Sequence, residues 1–431
     1  MKILILFVSV FFLQISNASE AKKYQFSELL SLVKKHPDLD KAQVEIEKAR
    51  LLFKKIQGET GPKFSAIVGI APIESVSGNP TQSRSSDKLD TTTRLLNLEI
   101  KYPLFMYNRS GNLKEANEYN VQIKELEHKK KELELIKNLK EYYYGFKYAS
   151  SLKSFAEDTI KDLDEAVNGI KAGKESDESS LKLKIFRSMA KAKLYEVNKG
   201  LELAKLGLRY ITQDFSSADI TIDEDWIEFR SGEKLDLKTL KAEVLTSNID
   251  YQRAVFGEKA KKLYSLSESK ALYPVFGLFS KYEYRKTPGS EKQTSDFAYD
   301  PYNQSDFSLG VGFVWDFDFG SRQSQKLEAA IEAEQMKREK LFAENNLPLM
   351  FDKLNAEYEE AFLKAEVYHQ AYKDSKKLMN KVGSGVALGL TPAKEIIESY
   401  TLKAEAYKNY LEAVYHFELK DAEVRYFLGR E

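Results

Sequence analysis

One stretch of this sequence occurs twice. Tyr102-Pro103-Leu104-Phe105-Met106-Tyr107-Asn108-Arg109 lies over Trp315-Asp316-Phe317-Asp318-Phe319-Gly320-Ser321-Arg322, an offset of about 213 residues that also sets Ala116 on Ala329. Upstream, Gly61-Pro62-Lys63-Phe64 meets Tyr273-Pro274-Val275-Phe276 at nearly the same spacing. Two anchors at one offset define a repeat, so the chain is constrained to fold as two like halves. We read them as residues 22–213 and 236–429, with the acidic, Trp226-bearing stretch 214–235 between them as a linker or small insertion. Each half has the same predicted order: helix, strand, polar loop, strand, long helix, turn, long helix.

The strands carry a period of two. Leu96, Leu98, Ile100, Tyr102 and Leu104 alternate with Asn97, Glu99 and Lys101, and Phe307, Leu309, Val311, Phe313, Trp315, Phe317 and Phe319 alternate with Ser308, Gly310, Gly312, Asp316 and Asp318. Weaker alternation places partner strands ahead of each, so the strands are set at 62–72 and 91–104 and at 274–285 and 306–319. Such a pattern fits a transmembrane barrel strand, apolar toward lipid and polar toward a lumen, and also a soluble sheet with one buried face. The aromatic end from Phe313 to Phe319 favours the first, as an interfacial girdle. Pro72–Asp90 and Thr287–Ser305 are rich in Ser, Thr, Gly, Asn and Pro, as extracellular barrel loops are. Four strands cannot close a barrel, and an open edge in lipid leaves peptide groups unpaired at several kcal/mol each. If these strands span a membrane, copies of the chain must pair edge to edge.

The helical parts are long. Phe26 to Gln57 reads as one helix, stopped by Gly61-Pro62. From Arg109 to about Asn168, residues such as Leu133, Ile136, Leu139, Tyr143 and Phe146 mark one face, and Lys and Glu fill the rest. About 60 residues at 1.5 Å each make a rod of roughly 90 Å, a length typical of coiled coils and helical barrels. The second half repeats it from Arg322 to about Val382, with a kink expected at Pro348.

Composition excludes several functions. With 66 basic and 66 acidic side chains the formal net charge is zero, which argues against a nucleic-acid binder. There is no cysteine, hence no disulfide, thiolate site or cysteine nucleophile, and four scattered histidines make no metal site. Neither a catalytic grouping nor a phosphate loop stands out, so the chain is expected to be no enzyme and to carry no cofactor. Lys2, the apolar run Ile3–Leu13 and the small residues ending at Ala18 read as a signal peptide over residues 1–18. No other stretch reaches the ~18 apolar residues of a transmembrane helix.

The duplicated strand-to-helix junctions, together with the tip Gly389-Leu390-Thr391 and the closing Leu428-Gly429, make the chain resemble the TolC family of outer-membrane efflux proteins over nearly all its mature length. That resemblance implies an α+β membrane protein in which duplicated β-hairpins and long coiled-coil helices form a shared trimeric β-barrel of twelve strands and a periplasmic α-helical barrel, with 214–235 as an equatorial insertion. It implies a homotrimer in the outer membrane with a long periplasmic portion, and an exit duct of a tripartite efflux or type I secretion system. The partners it implies are outer-membrane lipid, a periplasmic adaptor (membrane fusion protein) and an inner-membrane pump.

The same resemblance distributes roles among residues. Leu96, Leu98, Ile100, Tyr102, Leu309, Val311, Phe313 and Trp315 become lipid-facing. Gly389, Leu390 and Thr391 become the adaptor-contact tip, with Gly173 as the first half's counterpart; locally, Gly389 permits a left-handed turn and Thr391 caps a helix begun by Pro392. Glu395 and Glu398, one helical turn apart, become carboxylate rings at the periplasmic constriction. The gate departs from the family pattern: Val386 stands where a tyrosine is expected and Thr391 where an arginine is, leaving Tyr368, Tyr372, Lys373 and Asp374 as substitutes. The competing reading is a periplasmic coiled-coil scaffold or adaptor-like protein whose strands form a soluble β-domain. Cargo is not legible.

Overall fold

A computed structural model describes residues 22–72, 92–172, 177–215, 220–223, 226–229, 234–288, 303–316, 318, 320–387 and 393–431. The signal segment 1–18 and most of both polar loops lie outside these residues. The elements run β1 (Lys22–Tyr24), α1 (Phe26–Val33), α2 (Pro37–Glu59), β2 (Lys63–Pro72), β3 (Thr92–Phe105), α3 (Arg109–Ala172), α4 (Asp177–Thr212) and β4 (Ile220–Ile222). After short helices α5 (Leu237–Leu240) and α6 (Val244–Ser247) come α7 (Ile249–Lys270), β5 (Val275–Lys286), β6 (Asn303–Val314), α8 (Ser321–Ala387) and α9 (Ala393–Phe427). The described residues divide into two compact units. The helical unit draws on the chain up to Val44, on Glu125–Gln252 and on Phe342–Glu431, and the sheet unit on Glu45–Lys124 and Arg253–Leu341.

In the helical unit, apolar residues at steps of three and four build two large cores. Leu133, Ile136, Leu139 and Phe146 of α3 pack with Leu201, Leu208 and Ile211 of α4. Phe351, Tyr358 and Phe362 of α8 pack with Leu411, Val414 and Phe417 of α9. On α4, a Cβ at Gly207 would stand 2.3 Å from a ring carbon of Tyr142, so only glycine admits that ring.

One expectation needs correcting here, and another is narrowed. The helix anticipated over Phe26–Gln57 is two helices, α1 and α2. Pro37 clashes with a helical residue before it, and His36 instead caps α2, its Nδ1 accepting from the Asp38 N–H at 3.1 Å. Of the two readings of 214–235, linker or small insertion, the described part is no loose linker. β4 pairs in parallel with β1, burying Ile220 and Ile222 beside Tyr24. Further on, the N–H of Ile227 donates to Ser151 Oγ (3.1 Å), that of Phe229 to the Tyr410 hydroxyl (3.1 Å) and that of Leu235 to the Tyr358 hydroxyl (2.9 Å). Phe229 sits among Phe362, Phe417 and His369 at centroid distances of 5.5, 5.9 and 6.0 Å. This segment is a strap sewn to the helices, and its acidic neighbours disguise it in the sequence.

The sheet unit holds one antiparallel sheet in the order β2-β3-β5-β6, two hairpins joined through their second and first strands. A register shift falls between Pro103 and Phe105, where proline offers no N–H to the ladder. Within the unit, Asn117 Nδ2 donates to the Ala49 carbonyl at 3.0 Å, and Lys261–Glu332 (2.8 Å) and Lys340–Glu258 (3.0 Å) tie α7 to α8. α8 runs as a single helix with Pro348 inside it.

β6 ends at Val314, five residues short of the expected Phe319. Asp318 explains the early end, because its carboxylate accepts the Arg322 N–H at 2.9 and 3.1 Å and starts α8. Gly320, at φ +121°, makes the turn between them.

Candidate functional site

The register decides which side chains share a face, since directly paired residues project to the same side. Phe64, Ala66 and Val68 of β2 pair with Ile100, Leu98 and Leu96 of β3. Those three, with Tyr102, pair with Ser280, Tyr282, Tyr284 and Leu278 of β5. In turn Leu278, Ser280 and Tyr282 pair with Val311, Leu309 and Phe307 of β6, and Phe276 with Phe313 at 5.1 Å between ring centroids. One face is therefore apolar across all four strands. Seven of the eight residues assigned to lipid meet on it; Trp315 lies one residue past β6, its indole N–H donating to the Leu272 carbonyl at 3.2 Å.

The opposite face carries Lys63, Ser65, Glu99, Lys101, Lys281, Glu283, Asp306 and Ser308. Its charges pair locally, Lys101 with Glu99 at 2.9 Å and Lys281 with Glu283 at 2.6 Å. It is the apolar face that lies bare: Val68 is 78% exposed, Phe307 69% and Phe313 70%. The outer strands β2 and β6 each have one partner among the described residues, so each leaves an edge unpaired. A single soluble chain would bury such a face, and among the described residues nothing covers it.

Where the sheet hands over to helices, the duplicated arginines converge on the end of α7. Arg109 Nη2 stands 3.8 Å from Glu268, and Arg322 donates to the Ala271 carbonyl (2.9 Å) and to Asp316 (3.1 Å). Cations beside the carbonyl end of a helix are stabilised by its dipole. Before Arg109 the chain turns through Tyr107 and Asn108, both at positive φ.

In the helical unit, Leu163 and Val167 of α3, Leu183 of α4, and Ile396 and Tyr400 of α9 form a third core. Burial first, then the neighbouring Asp162 that its hydroxyl contacts at 3.3 Å, raise the Tyr400 pKa. With Ile396 and Tyr400 turned inward, Glu395 and Glu398 are exposed on the far side of α9. Glu398 stands 3.8 Å from Lys394, and the backbone carbonyl of Glu395 accepts from Ser399 Oγ at 2.7 Å.

The tip residues Gly389, Leu390, Thr391 and Gly173 lie outside the described residues, and of Val386 only the helical backbone is described. Of the residues considered as gate substitutes, Tyr372 stacks on Tyr410 (5.6 Å) and meets Tyr407 at a tilt (4.5 Å), and Tyr368 packs against the same core. Asp374 accepts from Lys377 (2.8 Å) and Gln370 (3.0 Å), and Lys373 is exposed.

Sequence reasoning missed an exposed apolar stripe along α4, made by Leu181, Ile185, Met189, Tyr195, Leu203, Leu206 and Tyr210. Only steps of three and four counted through the intervening lysines and glutamates reveal it. A matching stripe of Phe342, Leu349, Leu363, Val367 and Leu378 runs along α8. Among the described residues no helix is long and apolar enough to cross a membrane, and no cluster of acidic or histidine side chains could hold a metal.

No family model matches the sequence, and no curated protein matches it significantly. Solved structures do. The Neisseria gonorrhoeae MtrE outer membrane channel in its open state is 15% identical, with 97% of this chain and 93% of that one covered at a TM-score of 0.75. CusC, described for its transmembrane channel formation, is 14% identical over 97% and 96% of the two chains at 0.73. The outer membrane protein VceC of Vibrio cholerae is 13% identical over 94% and 96%, also at 0.73. Identities this low leave the backbone plan as the shared property, and that plan extends over nearly the whole length of each chain. The fold of this chain is that of the TolC-family outer-membrane channels.

Proposed function

We propose that this protein is an outer-membrane exit duct. Three copies pair their open edges into one twelve-stranded barrel, and their long helices form a periplasmic tunnel. Cargo enters from a periplasmic adaptor and an inner-membrane pump of a tripartite efflux or type I secretion system. The protein acts as a conduit and carries out no chemistry on what passes.

One observation supports this reading above the others: a four-stranded sheet with one continuous apolar face, the other face charged, and both edges open. Lipid suits the apolar face, water in a lumen suits the charged one, and further copies of the chain suit the edges. A soluble scaffold has no use for the bare face. The stripes on α4 and α8 fit the same assembly, as seams between neighbouring copies of a helical barrel. The repeats 22–213 and 236–429 supply two hairpins and two helix pairs per copy. Glu395 and Glu398 would then recur around the axis as rings near the periplasmic mouth, with Gly389-Leu390-Thr391 and Gly173 presented to the adaptor.

The test is fractionation of cells producing the full chain. The expected product stays in outer-membrane fractions through salt washes, needs detergent for release, and runs as a trimer that heating converts to monomer. A soluble monomer released by osmotic shock would overturn the proposal.

A further inference from the structure

The apolar face is not apolar to its end. At the last row paired across all four strands, Ile70 lies beside Arg94, Arg94 directly opposite Lys286, and Lys286 beside Asn303. Counting in steps of two from Leu96 and Tyr284 puts both cations on the same face as the lipid-facing residues, and both are exposed. Like charges set directly opposite across two strands have Cβ atoms about 5 Å apart and destabilise the pair. On the other face Lys63 also stands opposite Lys101 and Glu283 opposite Asp306, but there Lys101 and Lys281 each have an acidic neighbour along the strand, Glu99 at 2.9 Å and Glu283 at 2.6 Å. Among the described residues neither Arg94 nor Lys286 has an acidic partner.

We infer that Arg94 and Lys286 together bind a phosphate group of a membrane lipid. The inference rests on the exit-duct reading, which puts the loop end of the sheet at the outer leaflet. There the pair marks the boundary where the acyl chains end and anionic headgroups begin. A phosphate between the two side chains turns their repulsion into two charge-assisted contacts, the guanidinium offering a planar fork and the ammonium a point charge. The apolar rows of Leu96 and Tyr284, then Leu98 and Tyr282, lie immediately below, where the acyl chains of the same lipid would run. A free phosphate ion would use the cations but not those rows, so the site commits to a lipid.

The full chain is inserted into phosphatidylcholine vesicles, or vesicles with about one-fifth phosphatidic acid, extracted in detergent, and assayed by mass spectrometry for lipid that stays bound. We expect wild type to retain phosphatidic acid over phosphatidylcholine, and Arg94→Gln with Lys286→Gln to lower that retention by roughly tenfold. Lys286→Glu guards against a folding artefact. It creates an opposite-charge pair, so its folded fraction in pure phosphatidylcholine is expected to equal or exceed wild type while retention is lost. Lys281→Gln, on the other face, keeps wild-type retention.

Retention unchanged in both Arg94/Lys286 variants overturns the site. Loss of the lipid to an equal concentration of inorganic phosphate also overturns it, in favour of a simple anion site. Failure of the wild-type chain to insert into either vesicle is a different result, because it overturns the exit-duct reading itself.

Discussion

Phe229 and Tyr410 show how much of this molecule hangs on single contacts. The ring of Phe229 fills a gap among Phe362, Phe417 and His369, while its N–H is satisfied by the Tyr410 hydroxyl. Truncating a buried phenylalanine costs the transfer of its ring from water and leaves a cavity, so Phe229→Ala should destabilise the helical unit by about 3 kcal/mol or more. Tyr410→Phe keeps the ring stack with Tyr372 and removes only the acceptor, leaving a buried N–H unpaired for about 1–2 kcal/mol. Thermal denaturation of the detergent-purified protein should rank the two in that order. Equal losses would mean that the strap is held by its backbone bonds more than by its ring. No motif announces Phe229 in the sequence. The acidic stretch around it reads as linker, because burial on a partner element leaves no local periodicity.

At the scale of elements, the contrast between neighbouring residues of β6 is the sharpest test of what the sheet faces. Val311 lies on the apolar face, and Gly310, next in the chain, projects to the charged one with no atom within 4 Å of where its Cβ would be. Val311→Arg should reduce folding stability in vesicles by about 2–4 kcal/mol if that position lies near the bilayer midplane. Gly310→Arg should cost about 1 kcal/mol or less if that face lines a water-filled lumen. Urea titration of vesicle-inserted protein, read as folded fraction on unheated gels, would compare them, and equal sensitivity would argue that both faces meet water.

Legibility followed periodicity. The period-two runs predicted the strands and seven members of one face, because alternate residues of a strand with two unlike faces are constrained in opposite ways. The end of β6 was not legible: Phe317 and Phe319 continue the alternation, yet Asp318 is taken by the helix start. Nor was the break at His36, where local proline geometry overrides a helical pattern that continues on both sides.

For the whole molecule, the sheet edges unpaired among the described residues and the helix stripes both fit the proposed assembly of copies. Ile185 and Leu206 sit on the bare stripe of α4, 61% and 57% exposed, so charging them disturbs no core of the single chain. Ile185→Glu with Leu206→Glu should leave helix content unchanged and lower the trimer fraction on native gels several-fold, whereas a purely solvated stripe would tolerate both.

Assembly would also give the acidic pair of α9 its effect. Three copies bring three Glu395 and three Glu398 carboxylates around one axis, and a ring of like charge near a constriction concentrates cations and repels anions. The two residues differ, because Glu398 has Lys394 3.8 Å away, which cancels part of its field, while Glu395 has no cation paired with it among the described residues. Glu395→Gln should therefore lower the cation-to-anion permeability ratio of channels in planar bilayers more than Glu398→Gln, and the double change more than either. Salt supplies the internal control, since the screening length falls from about 10 Å at 0.1 M to about 3 Å at 1 M, and the differences should shrink accordingly. Permeability ratios that do not respond to either substitution at low salt would place both carboxylates away from the conducting path.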